Sequence, residues 1–284
     1  MSKTTLLSGL AICAVAGAAL AQDTIDDELV VNGEINMVTQ TAAPDFIDGL
    51  SEVRSGWTFR SPETQAMQMD DFDNPGMLGV EDAMAAFDAE MGANGESCAS
   101  CHEGGAESLA GVRAVYPKWD EEHGEVQTLE MQVMECQTER MGMEEPYGYN
   151  STEMLNMVAL LSFVSRGMPV NVAIDGPVAE TWAQGEEIYY TRYGQLELAC
   201  ANCHEDNYDN MIRADHLSQG QINGFPTYRL KTASLNGVHN RFRGCVRDTR
   251  AETFAIGSPE FVALELYLAS RGNGLSVEGP SVRN

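Results

Sequence analysis

Apolar residues at helical spacing mark two similar segments in this chain. Met154, Met157, Leu161 and Val164 fall on one helical face, and so do Phe261, Leu264 and Leu268. The period predicts helices over Thr152 to Gly167 and over Pro259 to Gly272. Ser258 can cap the second one, with Pro259 in its first turn and Gly272 and Gly274 ending it. Two more helical stretches are predicted over Glu81 to Met91 and Glu180 to Tyr193. Strand signals are sparse, and the connections are rich in Gly, Asn, Asp and Pro. The methionines of the first stripe read as core side chains rather than as ligands.

These elements repeat in order. Each half has a helix, a Cys-x-x-Cys-His motif, a lone cysteine and an apolar helix ending in Ser-Arg-Gly. The motifs are Cys98-Ala99-Ser100-Cys101-His102 and Cys200-Ala201-Asn202-Cys203-His204. The lone cysteines are Cys136 and Cys245. The offsets are 102 residues for the motifs, 109 for the lone cysteines and 105 for Ser165-Arg166-Gly167 against Ser270-Arg271-Gly272. Such agreement points to duplication of a unit of about 100 residues.

The motif has a covalent meaning. Two cysteines three apart can add across the vinyl groups of one haem, and the adjacent histidine reaches its iron. Two such motifs predict two covalently bound c-type haems, with Cys98, Cys101 and His102 at one and Cys200, Cys203 and His204 at the other. A zinc site would need cysteine partners that the chain mostly lacks. The fold expected is mainly α, with two tandem cytochrome c-like haem domains. Residues 1–21 read as a signal peptide, with Lys3, an apolar run from Leu6 to Leu20 and the Ala19-Leu20-Ala21 cleavage site. Residues 22–74 form an N-terminal extension, 75–170 the first haem domain and 178–284 the second, with Met168 to Pro177 between them. Export to the periplasm follows, and no later segment is apolar enough to span a membrane.

The formal charge of −26 argues against nucleic acid and anionic membranes as partners. Of the seven cysteines, Cys13 leaves with the signal peptide and four belong to the motifs. Cys136 and Cys245 remain. A sulfur on the far side of each haem would complete the iron's coordination as a thiolate. A single Cys136–Cys245 disulfide is the competing arrangement. His123, His216 and His239 are further ligand candidates, but they do not match between the halves.

The two lone cysteines have different surroundings. Cys136 lies among Glu130, Glu135 and Glu139. Cys245 lies among Arg241, Arg243, Arg247 and Arg250. Guanidinium groups favour a thiolate and bind oxyanions through paired N–H donors. Cys245 is therefore the candidate reactive sulfur, with Arg241, Arg243 and Arg247 as candidates to bind a small sulfur or oxygen dianion. The alternatives are a dihaem electron carrier whose arginines form a docking face, and a dihaem peroxidase.

With these residues the chain resembles the SoxA family, the dihaem subunits of the SoxAX cytochromes of thiosulfate oxidation. The marks are Arg54-Ser55-Gly56, Ser61-Pro62-Glu63-Thr64-Gln65-Ala66-Met67, Asn74-Pro75-Gly76-Met77, both haem motifs, Cys136 and the Arg241-to-Cys245 segment. Gly185 and Tyr189 resemble the small and aromatic positions where the first and last helices of cytochromes c cross. The resemblance implies His102/Cys136 and His204/Cys245 as iron ligands, with Cys245 carried as a persulfide and Arg241 binding substrate. It implies an L-cysteine S-thiosulfotransferase that couples thiosulfate to a cysteine of the carrier SoxYZ. The partners implied are a monohaem SoxX-like subunit in a heterodimer and a c-type cytochrome as electron acceptor.

Overall fold

The computed structural model describes residues 28–213 and 215–284. The expected signal peptide, 1–21, lies outside the described residues. The chain is mainly helical. Its α-helices are α1 (Pro62–Met69), α2 (Met77–Asp88), α3 (Cys98–Cys101), α4 (Leu129–Glu135), α5 (Thr152–Phe163), α6 (Ala179–Tyr190), α7 (Cys200–His204), α8 (Val238–Asp248) and α9 (Pro259–Arg271). Among the described residues, no helix is long and apolar enough to cross a membrane.

Two helix pairs hold the core. Helix α2 packs on α5, and α6 packs on α9. The first pair buries Val80, Ala83 and Phe87 against Met154, Met157 and Leu161. The methionine stripe is thus core, as its spacing predicts. The second pair buries Ile188 and Tyr189 against Phe261, Leu264 and Leu268. Ser151 and Ser258 cap α5 and α9 by accepting from the N–H groups of Met154 and Phe261. At the second crossing a Cβ on Gly185 would stand 2.0 Å from the Ala263 carbonyl oxygen. Only glycine lets these two backbones approach so closely.

The segment ahead of each motif is held in the same manner. Met91 pairs with Glu96, and Tyr193 pairs with Leu198. Asn94 N–H donates to Met141 O at 3.2 Å, and Leu196 N–H donates to Thr249 O at 3.2 Å. Gly92 and Gly194 have positive φ, and a Cβ on either would collide with those same carbonyl oxygens. Both glycine loops therefore rest on the end of the helical run that carries the lone cysteine, α4 with its following π turn Cys136–Arg140 or α8.

The strands are short. Lys118–Asp120 pairs with Glu125–Gln127 ahead of α4, and Thr227–Arg229 pairs with Ser234–Asn236 ahead of α8. The C-terminal strand Ser281–Arg283 adds in parallel to Thr227–Arg229. It lies against α1, where Gln68 donates to Glu278 and accepts from Val282 N–H. The extension is thus strapped to the C-terminal part of the chain, and Ser276 N–H also donates to Val38 O. The segment between the halves is not a free linker. Val170 and Val172 are buried, and Val170 N–H and Val277 N–H bond to Leu275 O and Met168 O.

Gly185→Ala should cost roughly 1–3 kcal/mol or more, since the helices must separate to admit the methyl group. The expected result is a thermal midpoint lower by several degrees in a melting curve. Gly244→Ala, where a Cβ meets nothing within 4 Å, should leave the midpoint unchanged or slightly raised.

Candidate functional site

Each motif sits on a short helical turn, and one turn places residues three apart on the same side. At α3 the turn is fixed by reciprocal caps. Ser97 Oγ accepts from Ser100 N–H at 3.1 Å, and Ser100 Oγ accepts from Ser97 N–H at 3.0 Å. At α7 the Asn202 side-chain oxygen accepts from Ala199 N–H at 2.9 Å. Among the described residues, none of the six cysteines forms a disulfide. The structure therefore lacks the Cys136–Cys245 disulfide that the sequence left open.

Three thiols gather at each motif. Burial, then the neighbouring Cys136 and Cys101, push the Cys98 thiol up to about 11. Burial also raises Cys136, against a hydrogen bond from Gln132 Nε2 3.6 Å from its sulfur. In the second half burial, Cys245 and Cys203 push Cys200 up to about 12. Burial and Cys245 raise Cys203, while Arg241 pulls it down. Mutual influence of this kind requires proximity, so Cys136 faces the first motif and Cys245 the second.

The second motif's histidine is oriented. His204 Nδ1 lies 2.7 Å from Ser218 O, which leaves Nε2 as the nitrogen available to a metal. Burial holds the ring down to about 4, so it is neutral at neutral pH. Gly220, at φ +80°, brings its backbone so close that a Cβ would stand 3.0 Å from His204 Cγ. In the first half the His102 ring lies 6.3 Å from that of Phe87. Paired thiols on one turn, an adjacent imidazole and a third sulfur beside them form a donor set that fits a covalently attached haem.

The arginines divide. Arg241 precedes Cys245 by one helical turn, so both occupy the same face of α8. Arg243 and Arg247 stand on the other side. Arg243 donates to Asn240 Oδ1 at 2.8 Å, and Arg247 pairs with Asp248 at 3.1 Å in full exposure. Arg229, which sequence reasoning missed, joins Arg241 instead. Its guanidinium donates twice to Asn284 O, at 3.0 and 2.6 Å. Burial and the charge of Arg241 lower its pKa, and Asp215 and Cys245 oppose them. Arg60 lies behind, paired with Asp215 and donating to His216 O. No local pattern marks Arg229, because the strand pairing alone carries it to the site.

The extra histidines do not reach the motifs in matched fashion. His123 is taken up by Asp120 on the first hairpin, and His216 lies exposed on the short strand Asp215–His216. His239 is 1% exposed and faces Glu265. Arg271, from the second Ser-Arg-Gly, pairs with Glu205 at 2.7 Å and covers the Tyr189 ring. It thereby ties α9 to the residue following His204. Arg166, its counterpart by sequence, instead pairs with Asp71 of the extension.

Comparison with known proteins agrees with this geometry. Residues 82–170 match the family described as SoxA/TsdA, cytochrome c domain. The chain is 59% identical to the L-cysteine S-thiosulfotransferase subunit SoxA of Rhodovulum sulfidophilum, over 98% of each chain. It is 57% identical to the subunit of the same name from Paracoccus pantotrophus, over 100% of this chain and 98% of that one. A crystal structure of SoxXA from P. pantotrophus superposes with a TM-score of 0.88 at 58% identity, covering 92% of this chain and 99% of its own. Identity of this extent, with both motifs and both lone cysteines in place, shows that the chain belongs to the SoxA family of cytochrome c subunits.

Proposed function

We propose that the protein is the catalytic subunit of an L-cysteine S-thiosulfotransferase, with Cys245 as its reactive sulfur. The observation that carries this reading is the placement of Arg241 and Cys245 on one face of α8, beside Cys203 and Arg229. Two guanidinium groups near a half-buried thiol suit a doubly charged sulfur oxyanion. Thiosulfate is the substrate, and a cysteine of a SoxYZ-like carrier is the acceptor. The carrier thiol and thiosulfate join in an S–S bond, releasing one proton and two electrons. Arg241 orients the anion toward Cys245, which carries sulfur as a persulfide.

The two halves are tandem haem units, 75–170 and 178–284, each with one covalently bound haem c. The repeated loop, hairpin and cysteine-helix arrangement supports this division. His102 with Cys136, and His204 with Cys245, would hold the iron of each haem. Bound haem supplies the electron acceptor for the oxidation. A SoxX-like monohaem subunit completes the heterodimer and passes electrons to a c-type cytochrome. Residues 1–21 direct export to the periplasm. Cys136 lacks a partner comparable to Arg241, since Glu135 and Arg140 beside it oppose each other. The first unit is therefore assigned no substrate.

Thiosulfate-coupling assays with the carrier should separate the arginines. Cys245→Ala should abolish activity, and Arg241→Ala should lower kcat/KM by about 10- to 100-fold, as expected for loss of a charged hydrogen bond. Arg243→Ala and Arg247→Ala should stay within about threefold of wild type, as exposed side chains on the far face do. Full activity of Cys245→Ala would leave a plain electron carrier as the better reading.

Intact mass of exported protein offers an independent check. Wild type should carry two haem additions and one extra sulfur. Cys245→Ala should keep both haems and lose that sulfur. Wild type without it would remove the persulfide from the mechanism.

A further inference from the structure

The hairpin ahead of α4 carries ionisable side chains that the sulfur chemistry does not use. Its strand Lys118–Asp120 ends on Asp120, and its turn presents His123. His123 Nδ1 stands 2.5 Å from Asp120 Oδ2, and Nε2 stands 3.9 Å from Glu139 Oε1. Glu135, the last residue of α4, completes the group. One donor atom from each of Asp120, His123 and Glu135 lies within 4.8 Å of the other two. Both carboxylates are half-buried, and the imidazole is exposed.

The surroundings of this group favour a bound cation. Glu135 does not swing freely, because the buried Gln127 donates from Nε2 to its Oε2. A hydrogen bond of this kind orients a metal-ligating carboxylate. Among the described residues, no lysine or arginine pairs with Asp120, Glu135 or Glu139, and the basic group that meets them is His123. Lys118, on the same strand, lies over the Tyr116 ring instead. The group is also particular to the first half. At the offset of 109 residues the second half has Arg229, Thr232 and Gly244 in place of Asp120, His123 and Glu135. The first hairpin thus gathers donors for a cation where the second sets a guanidinium group.

We propose that Asp120, His123 and Glu135 bind a divalent transition cation of the zinc class, with Glu139 placed to join as a fourth donor. One imidazole nitrogen with carboxylate oxygens suits Zn2+ and related first-row ions, whereas Ca2+ and Mg2+ favour oxygen donors alone. Neighbouring donors of a tetrahedral zinc ion stand about 3.3 Å apart. The cation takes the place of the proton between His123 and Asp120, and the exposed ring is free to draw back and admit it. The bound charge also offsets that of Glu135, which directly precedes Cys136.

Calorimetric titration of the intact, haem-loaded protein with Zn2+ tests this, at about 0.15 M salt to screen the diffuse acidic surface. One Zn2+ per chain should bind well ahead of any others. His123→Ala and Asp120→Asn should each weaken that step by at least about tenfold, and Gln127→Leu, which removes no donor, by about tenfold through the freed Glu135. His216→Ala, which alters an exposed histidine outside the group, should leave it unchanged. Zn2+ should also raise the melting midpoint of wild type and not that of His123→Ala. Should the Gln127 variant fold poorly, His123→Ala still decides, since its side chain is exposed. Weak binding of several ions that His123→Ala does not alter would mean an adventitious ion only and overturns the proposal. A tight step that survives in both His123→Ala and Asp120→Asn places the ion elsewhere and overturns it equally.

Discussion

The arrangement depends on two glycine loops that rest on carbonyl oxygens. Gly92 lies against Met141 O, and Gly194 lies against Thr249 O, at distances that no other residue could adopt. Each contact joins the loop leading into a Cys-x-x-Cys-His turn to the end of the helical run that carries a lone cysteine. The motif sulfurs and the lone cysteine beside them come from segments some 35 to 45 residues apart in the chain. They share one frame because the backbone, not a flexible side chain, sets the distance. A haem attached at such a motif would find the third sulfur already placed, with little ordering entropy to oppose it.

Electrostatics separates the two halves where the backbone makes them alike. The chain carries 43 acidic and 17 basic residues, so any cationic site stands out against its surroundings. At Cys245 the cations Arg241 and Arg229 face the sulfur. Cys136 sees Glu135 and Arg140, whose charges act on it in opposite directions. A small anion approaching this surface is repelled by most of it and attracted where the guanidinium groups converge. A basic patch on a protein partner would find the acidic exterior attractive.

The sequence made the helices and the motif residues legible for a simple reason. Helical period and covalent spacing are local properties, so Met154 to Val164, Phe261 to Leu268 and both motifs carry their own signal. The lone cysteines were legible through symmetry between halves. Arg243 and Arg247 were not placed correctly by closeness in sequence. Each residue turns a helix by about 100°, and two positions from Cys245 is the far side. Arg229 and Arg60 were invisible, since strand pairing and the extension bring them in. His239 was open as a ligand candidate because nothing in its neighbours tells that Glu265 and Tyr149 will enclose it. The segment from Met168 to Pro177 looked like a linker because turn residues hide its pairing with Leu275 and Val277.

Charged groups in the interior serve as joints rather than as sources of stability. Burying an ion pair gains little over apolar packing, but breaking one leaves an uncompensated charge and costs several kcal/mol. Arg271 is fully buried against Glu205, which follows His204 directly. Arg166 meets Asp71 of the extension with two parallel hydrogen bonds. Arg60 reaches Asp215 near the cationic site. Each pair crosses between elements that apolar contacts alone would let slide, and each tolerates one register. The same sequence element, Ser-Arg-Gly, thus does two jobs. In the second half it locks the last helix to the haem motif, and in the first it locks the last helix to the extension. The apolar stripes decide that helices pack, and these buried pairs decide where along their length they stop.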